Sequence, residues 1–268
     1  MSTATTAVPV TEVQRLDRTV GEVLDTGALV ASMRSAIAGG AAYVVPSGID
    51  RSLLVELRSY LAQVGRSSLP SYHPIEVGAP NSHRMNDGDE RSYVRGRFHQ
   101  FSFYPWNQDL FGLFDLLGPA YHLKNVLSGL PPTSFLARTP EHGCTARIAA
   151  QFYPTGGGGL NLHTDPVDRH QLTVPTMELS RRGDDYRSGG VYLTRADGSV
   201  LDAQAHLDLG DLLFFNAATP HGVAVIDDGE PLAWHRFEGR WIVLLAVNRL
   251  QSTADIGDSM ELDATDRR

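Results

Sequence analysis

A chain of 268 residues, 42% of them apolar and 20% charged, can bury a substantial core and has the balance of an ordinary globular protein. Its formal net charge of −8 argues against a nucleic-acid partner, which would call for clustered cations, and no apolar run reaches the length of a membrane span. Cys144 is the single cysteine, so there is no internal disulfide framework. With no basic-then-apolar leader in Met1-Ser2-Thr3-Ala4-Thr5-Thr6, the expected location is the cytoplasm.

Residues 1–20 are rich in Ser, Thr and Ala and are expected as a poorly ordered tail. A single domain is expected over 21–250, with helices and loops in 21–143, a β core in 144–250, and a polar tail over 251–268. Ala42 to Val45 reads as a short strand. Ile49 to Val64 reads as a helix, because Leu53, Leu54, Leu57, Leu61 and Val64 fall on one face. Ser67 to Asp89 carries Pro70, Pro74, Gly78, Pro80 and Gly88, the marks of a long loop. The segment Arg91 to Gln100 mixes cations, aromatics and hydrogen-bond donors, and Arg95, Arg97 and His99 within it are candidate substrate contacts. The expectation is that this segment and the loop before it form a movable cover. Leu110 to Leu127 returns to helical spacing and is divided at Gly118-Pro119.

From Cys144 onward the texture changes to short strands between turn residues. Eight are expected: Thr145–Tyr153, Leu160–Asp165, Gln171–Leu179, Gly190–Thr194, Val200–Gln204, Asp211–Asn216, Gly222–Ile226 and Arg240–Asn248. The fold expected is mainly β with flanking α: a jelly roll (double-stranded β-helix) with a pocket at its mouth and N-terminal helices bracing one sheet.

Within Gly159-Leu160-Asn161-Leu162-His163-Thr164-Asp165-Pro166, strand alternation puts His163 and Asp165 on one face and Thr164 on the other. A bare His-x-Asp is commonplace. Pro220-His221-Gly222-Val223 adds a distant histidine, and two histidines with one carboxylate make the facial set typical of non-haem Fe(II) oxygenases.

Several further segments stand in order around these three. Phe152-Tyr153-Pro154 precedes the glycines and the His-x-Asp. Ser188-Gly189-Gly190-Val191-Tyr192-Leu193 and Leu209-Gly210-Asp211-Leu212-Leu213-Phe214-Phe215 lie between the first two candidate ligands and the third. Gly239-Arg240-Trp241-Ile242-Val243-Leu244 closes the series. Together, over roughly Ala146 to Leu250, the chain resembles the 2-oxoglutarate/Fe(II)-dependent dioxygenase superfamily, nearest to its prolyl-hydroxylase-like branch.

The resemblance implies that His163, Asp165 and His221 are both the catalytic set and the ligands of Fe(II). It implies that 2-oxoglutarate is the cosubstrate, its distal carboxylate gripped by an arginine and its binding aided by Tyr153. Arg240, which begins an apolar strand, is the first choice for that arginine, and Arg236 is the rival. The expected reaction couples decarboxylation of 2-oxoglutarate to oxidation of a C–H bond by O2. Hydroxylation of a small molecule, of the natural-product tailoring type, is the default outcome; desaturation, cyclisation and epimerisation share the same apparatus. The competing readings are a cupin-like metal enzyme that does not use 2-oxoglutarate, and a non-catalytic metal-binding barrel.

Overall fold

The computed structural model describes residues 6–89, 94–166, 170–251 and 260–261. In chain order these give β1 (Glu12–Arg15), α1 (Val20–Leu24), α2 (Gly27–Ala38), β2 (Ala41–Pro46), α3 (Arg51–Ser67), β3 (Ser82–Asp87) and β4 (Gly96–Phe103). Then follow α4 (Leu113–Leu116), α5 (Gly118–Leu127), β5 (Cys144–Pro154), β6 (Gly159–Thr164), β7 (Thr176–Glu178), β8 (Gly190–Thr194) and β9 (Val200–Asp202). A 3-10 turn (Ala203–His206) leads to β10 (Asp211–Phe214), β11 (His221–Ala224), β12 (Gly239–Arg249) and β13 (Met260–Glu261).

The strands form one curled sheet in the order β1-β2-β10-β7-β12-β5-β4-β6-β11-β8-β9, with β3 beside β4 and β13 beside β6. Neighbours in space are mostly distant in sequence and antiparallel, as a double-stranded β-helix requires. Its spine is the β5–β12 pair, in register from Gly239 opposite Pro154 to Arg249 opposite Cys144. Alternation sorts both strands. Ala146, Ile148, Ala150 and Phe152 of β5, with Trp241, Val243, Leu245 and Val247 of β12, enter the main hydrophobic core. The opposite faces, including Arg147, Gln151 and Tyr153 of β5 and Arg240, Ile242, Leu244 and Ala246 of β12, line an internal cavity.

The helices close the outer side. Met33 and Ile37 of α2, Leu54, Leu57 and Leu61 of α3, and Tyr121 and Leu123 of α5 are all buried in the core under β2, β5 and β12. Helix α3 begins where the Asp50 carboxylate accepts the Ser52 amide at 2.7 Å, which satisfies one of the free donors of the first turn. It spans Arg51–Ser67, close to the expected Ile49 to Val64. The break at Gly118-Pro119 is present, between α4 and α5.

The architecture is the one expected, but several local readings change. The supposed N-terminal tail is knitted into the sheet from Val8 onward. The Val8 amide donates to the Ala218 carbonyl and the Val10 amide to the Thr194 carbonyl, and β1 runs parallel to β2. Backbone pairing holds Glu12–Arg15, which has no apolar alternation to announce it. The expected long loop contains β3, paired with β4 from Ser82 opposite Ser102 to Asp87 opposite Arg97. Its sequence, Ser-His-Arg-Met-Asn-Asp, carries no β-branched or aromatic residue. Strand β7 is shorter than expected because Pro175 offers no amide to a ladder. The expected strand over Val200–Gln204 yields to the 3-10 turn after Asp202. Helix α2 was not anticipated. Of the expected C-terminal tail, Gln251 donates its amide to Ile75 and Met260–Glu261 pair with β6; 252–259 and 262–268 lie outside the described residues.

One glycine sets the spacing beside β11. A Cβ on Gly222 would lie 2.5 Å from the Tyr192 hydroxyl and 2.8 Å from the Leu160 carbonyl oxygen, so β11 can sit between β6 and β8 only with no side chain there. Gly222→Ala is therefore expected to lower stability by roughly 1–3 kcal/mol and to weaken metal binding at the adjacent His221. Thermal unfolding and a metal titration check the two effects separately.

Candidate metal centre and its cavity

Strands β6 and β11 are antiparallel neighbours, and their register sets His221 directly opposite His163. Asp165 lies just past the end of β6, its amide donating to the Ala217 carbonyl at 2.9 Å. One ligand atom from each of His163, Asp165 and His221 falls within 4.8 Å of the others. The Nε2 atoms of His163 and His221 lie 3.8 and 3.7 Å from the two carboxylate oxygens of Asp165. The three side chains named from sequence are thus brought together.

Each imidazole is oriented from behind. Nδ1 of His163 lies 2.9 Å from the Asn161 carbonyl oxygen, and Nδ1 of His221 lies 2.8 Å from that of Thr219. A carbonyl can only accept, so Nδ1 carries the proton and the Nε2 lone pair faces the centre in both rings. Burial, with His163 nearby, pulls His221 down to about 4 against the opposing charge of Asp165. It is neutral at pH 7, the form that binds a metal. Two neutral imidazoles and one carboxylate, all on one side, fit a borderline divalent cation with coordination positions left open.

The centre opens on a cavity of about 260 Å³. Arg240 is fully buried in its wall and passes over the Tyr153 ring, with the guanidinium carbon 5.7 Å from the ring centroid. Its Nε donates to Gln204 at 2.8 Å, one terminal nitrogen pairs closely with the Glu178 carboxylate, and Nη1 is buried with no hydrogen bond among the described residues. Burial pushes the Glu178 carboxyl above its ordinary range while Arg240 pulls it back. Tyr153 donates its hydroxyl to Gln151 at 2.7 Å, and burial holds the phenol neutral. Arg236, by contrast, is exposed and outside the cavity; its carbonyl accepts from Arg66 at 2.9 Å.

The segment expected to touch substrate does reach the cavity, through other residues. On β4 the alternation directs Phe98, Gln100 and Ser102 inward. Arg97 is exposed and pairs with Asp87 at 3.1 Å. His99 is buried on the far face, with its Nδ1 2.8 Å from His83 Nε2 and its ring against Phe152, Trp234 and Phe237. Arg95 is exposed just before the strand. These three candidates were chosen for their chemistry in what looked like a loop; once the stretch is a strand, parity turns two of them away from the cavity. Arg91 to Tyr93 lie outside the described residues. Glu178 and Gln204 were not anticipated. Glu178 gave one signal: a lone acid in the apolar stretch Val174-Pro175-Thr176-Met177-Glu178-Leu179.

No family model matches the chain, and no curated protein matches its sequence. Solved structures do match its fold. A Pseudomonas putida prolyl-4-hydroxylase is 12% identical, with 82% of this chain and 98% of that one covered, at a TM-score of 0.53. A Neurospora crassa protein crystallised with alpha-KG and thymine is 11% identical over 90% of this chain and 86% of that one, at 0.54. JOX2, crystallised with 2OG, Fe and JA, is 14% identical over 95% and 79%, at 0.52. At such identities the likeness establishes the fold, a double-stranded β-helix, and that alone.

Burial pulls His99 from its ordinary 6.5 down to about 4, with His83 adding to the shift. Its folded value lies below its unfolded one, so between pH 6.5 and 4 the unfolded chain takes up a proton that the folded chain refuses. This contribution to stability is whole above pH 6.5 and drains away as the pH falls toward 4, by up to about 3 kcal/mol. His99→Phe should flatten the dependence of the metal-free melting temperature on pH across that window. An unchanged slope would place the acid sensitivity elsewhere.

Proposed function

We propose that the protein is a non-haem Fe(II)/2-oxoglutarate-dependent oxygenase acting on a small organic molecule. The observation that carries this is the His163–Asp165–His221 set at the wall of an enclosed cavity, with both imidazoles held so that Nε2 faces the centre. In this reading His163, Asp165 and His221 hold Fe(II), which when bound supplies the chemistry that activates O2. One O2 and one 2-oxoglutarate are consumed per C–H oxidised, giving succinate, CO2 and, for hydroxylation, an alcohol.

The chain's own residues do the rest. Arg240 lines the cavity and is the cation assigned to the distal carboxylate of 2-oxoglutarate, with Nη1 as the donor that makes no hydrogen bond among the described residues. Glu178 and Gln204 fix the plane of the guanidinium. Tyr153 packs under it. The apolar wall of Val174, Val191, Phe215, Val223 and Ile242 excludes water from the reacting centre. The structural neighbours crystallised with alpha-KG or 2OG support the cosubstrate. The complexes with thymine and JA show that the fold can take small molecules. Among the described residues no helix is long and apolar enough to cross a membrane. A tailoring role in natural-product synthesis, and a cytoplasmic home, belong to the same proposal.

A second reading is favoured by the Glu178–Arg240 pair itself. Because the guanidinium already faces a carboxylate, a metal enzyme that uses no 2-oxoglutarate would also leave Arg240 satisfied. Succinate release from 2-oxoglutarate with Fe(II) separates the two readings. The wild type should form succinate slowly even without primary substrate. His163→Ala and His221→Ala should lose both tight Fe(II) binding and succinate formation. A wild type that binds Fe(II) but never consumes 2-oxoglutarate would favour the second reading.

The arginine assignment is tested on its own. Arg240→Gln should weaken apparent 2-oxoglutarate affinity on the order of 100-fold, as expected for loss of a buried charge-assisted pair, and Arg236→Gln should leave it unchanged. A loss confined to Arg236→Gln would reverse the assignment.

A further inference from the structure

The protein as a whole is acidic, yet its cavity is not. Among the described residues that line it, Asp165 is the one carboxylate, against Arg84, Arg147, Arg240 and Arg249. Asp165 belongs to the metal set and Arg240 is already matched by Glu178. Arg84 and Arg249 have contacts of their own, so the positive charge left over in the lining rests on Arg147.

Arg147 is where that surplus is best defined. It stands on the inward face of β5, and its backbone is fixed by the Tyr121 hydroxyl donating to its carbonyl. The guanidinium makes no hydrogen bond or ion pair among the described residues, and its Nε is buried without a partner. The Tyr104 phenol lies within the electrostatic reach of both Arg147 and Arg84. A half-buried, unpaired guanidinium beside a phenol in a concave wall is a receptor for an oxyanion, because its planar fork matches a carboxylate in two hydrogen bonds.

This anion subsite is separate from the arginine proposed for the cosubstrate. In the β5–β12 ladder Arg240 is opposite Tyr153, whereas Arg147 is opposite Ala246. Six residues of strand separate the two backbone levels, roughly 20 Å. Between them run neutral groups. Tyr153 donates to Gln151, Gln151 to Gln100 and Gln100 to Ser102, at 2.7, 3.1 and 3.2 Å. Leu244, Val174 and Ile242 supply apolar wall over the same span.

We infer that the primary substrate is a small organic carboxylate, held by its acid group at Arg147 with Tyr104 alongside, and with its apolar body directed toward the metal centre. This rests on the oxygenase reading for its chemistry but not for its binding. The test is accordingly made on metal-free protein. Benzoate and benzamide, nearly identical in shape and different in charge, are compared by ligand-observed NMR titration against the wild type, Arg147→Gln, Arg147→Lys and Arg240→Gln. Benzoate should bind the wild type at least tenfold more tightly than benzamide. Arg147→Gln should abolish the preference, Arg147→Lys should keep part of it, and Arg240→Gln should leave it intact. Melting temperatures confirm that each variant is folded. A 2-oxoglutarate titration of the Fe(II)-loaded Arg147→Gln protein should match the wild type.

Equal binding of the two probes by the wild type would overturn the subsite, as would benzoate binding that survives in Arg147→Gln. Loss of 2-oxoglutarate affinity in Arg147→Gln would assign the guanidinium to the cosubstrate and overturn it as well. Failure of the wild type to consume 2-oxoglutarate, with the benzoate preference intact, would remove the oxygenase reading and leave the carboxylate site standing.

Discussion

The site depends on one register. Side chains on a strand alternate with a period of two, so a one-residue slip between β6 and β11 would send His221 to the opposite face and leave His163 and Asp165 as an incomplete pair. Two things pin that register, and a third orients the imidazoles upon it. The bare Cα of Gly222 fits between Tyr192 and Leu160, where a side chain would wedge the strands apart. The ladder to β8 runs without interruption from His221 opposite Leu193 to Ala224 opposite Gly190. The Asn161 and Thr219 carbonyls receive the Nδ1 protons, so each histidine is tied to its own backbone two residues away. Backbone geometry therefore fixes both where the imidazoles are and which nitrogen they present.

Charge is segregated across the sheet in a way that composition hides. The net charge of −8 describes the whole molecule, and many of its acids lie at the surface, where Asp208 and Asp185 meet Arg51 and Arg58. Solvent screens such pairs, and each adds little to stability. Inside the barrel the few charges face a low dielectric and act over longer range. A net-charge argument bears on nucleic acid at the surface; it is silent on an anionic ligand in a cavity. The same chain can disfavour one polyanion outside and welcome a small anion within.

The chain order of the barrel strands and the clustering of His163, Asp165 and His221 were legible because both depend on local pattern. Gly190–Thr194 matches its expected span, and the other barrel strands fall within a few residues of theirs except β7, which begins five residues later than expected. His163, Asp165 and His221 stand beside turn residues and short apolar runs that mark their strands unambiguously. What could not be read was set by pairing at a distance. Strand β3 has polar composition and exists because β4 offers it a ladder. The parity of β4 was hidden for the same reason: without knowing that Gly96–Phe103 is a strand, nothing says that Gln100 faces the cavity and His99 the core. Glu178 stood out only as a lone acid in an apolar stretch, because its meaning lies in a guanidinium 62 residues away.

That last pair poses a question of energetics. Burying a carboxylate and a guanidinium together costs several kcal/mol of desolvation for each ion, and an apolar pair of similar volume is often as stable or more so. Glu178 is therefore a poor way to stabilise the barrel but an effective way to orient Arg240. A lone guanidinium in this wall could rotate about its terminal torsions or collapse onto the Tyr153 ring. With Gln204 holding Nε and Glu178 holding one terminal nitrogen, the plane is fixed and the buried Nη1 is left without a hydrogen bond among the described residues. Neutralising half of the arginine also weakens its grip on any incoming anion relative to a bare cation. For the cosubstrate role proposed for Arg240, an anchor that is oriented yet partly compensated would suit a ligand whose product must leave after each turnover. The uncompensated Arg147 at the other end has no such restraint.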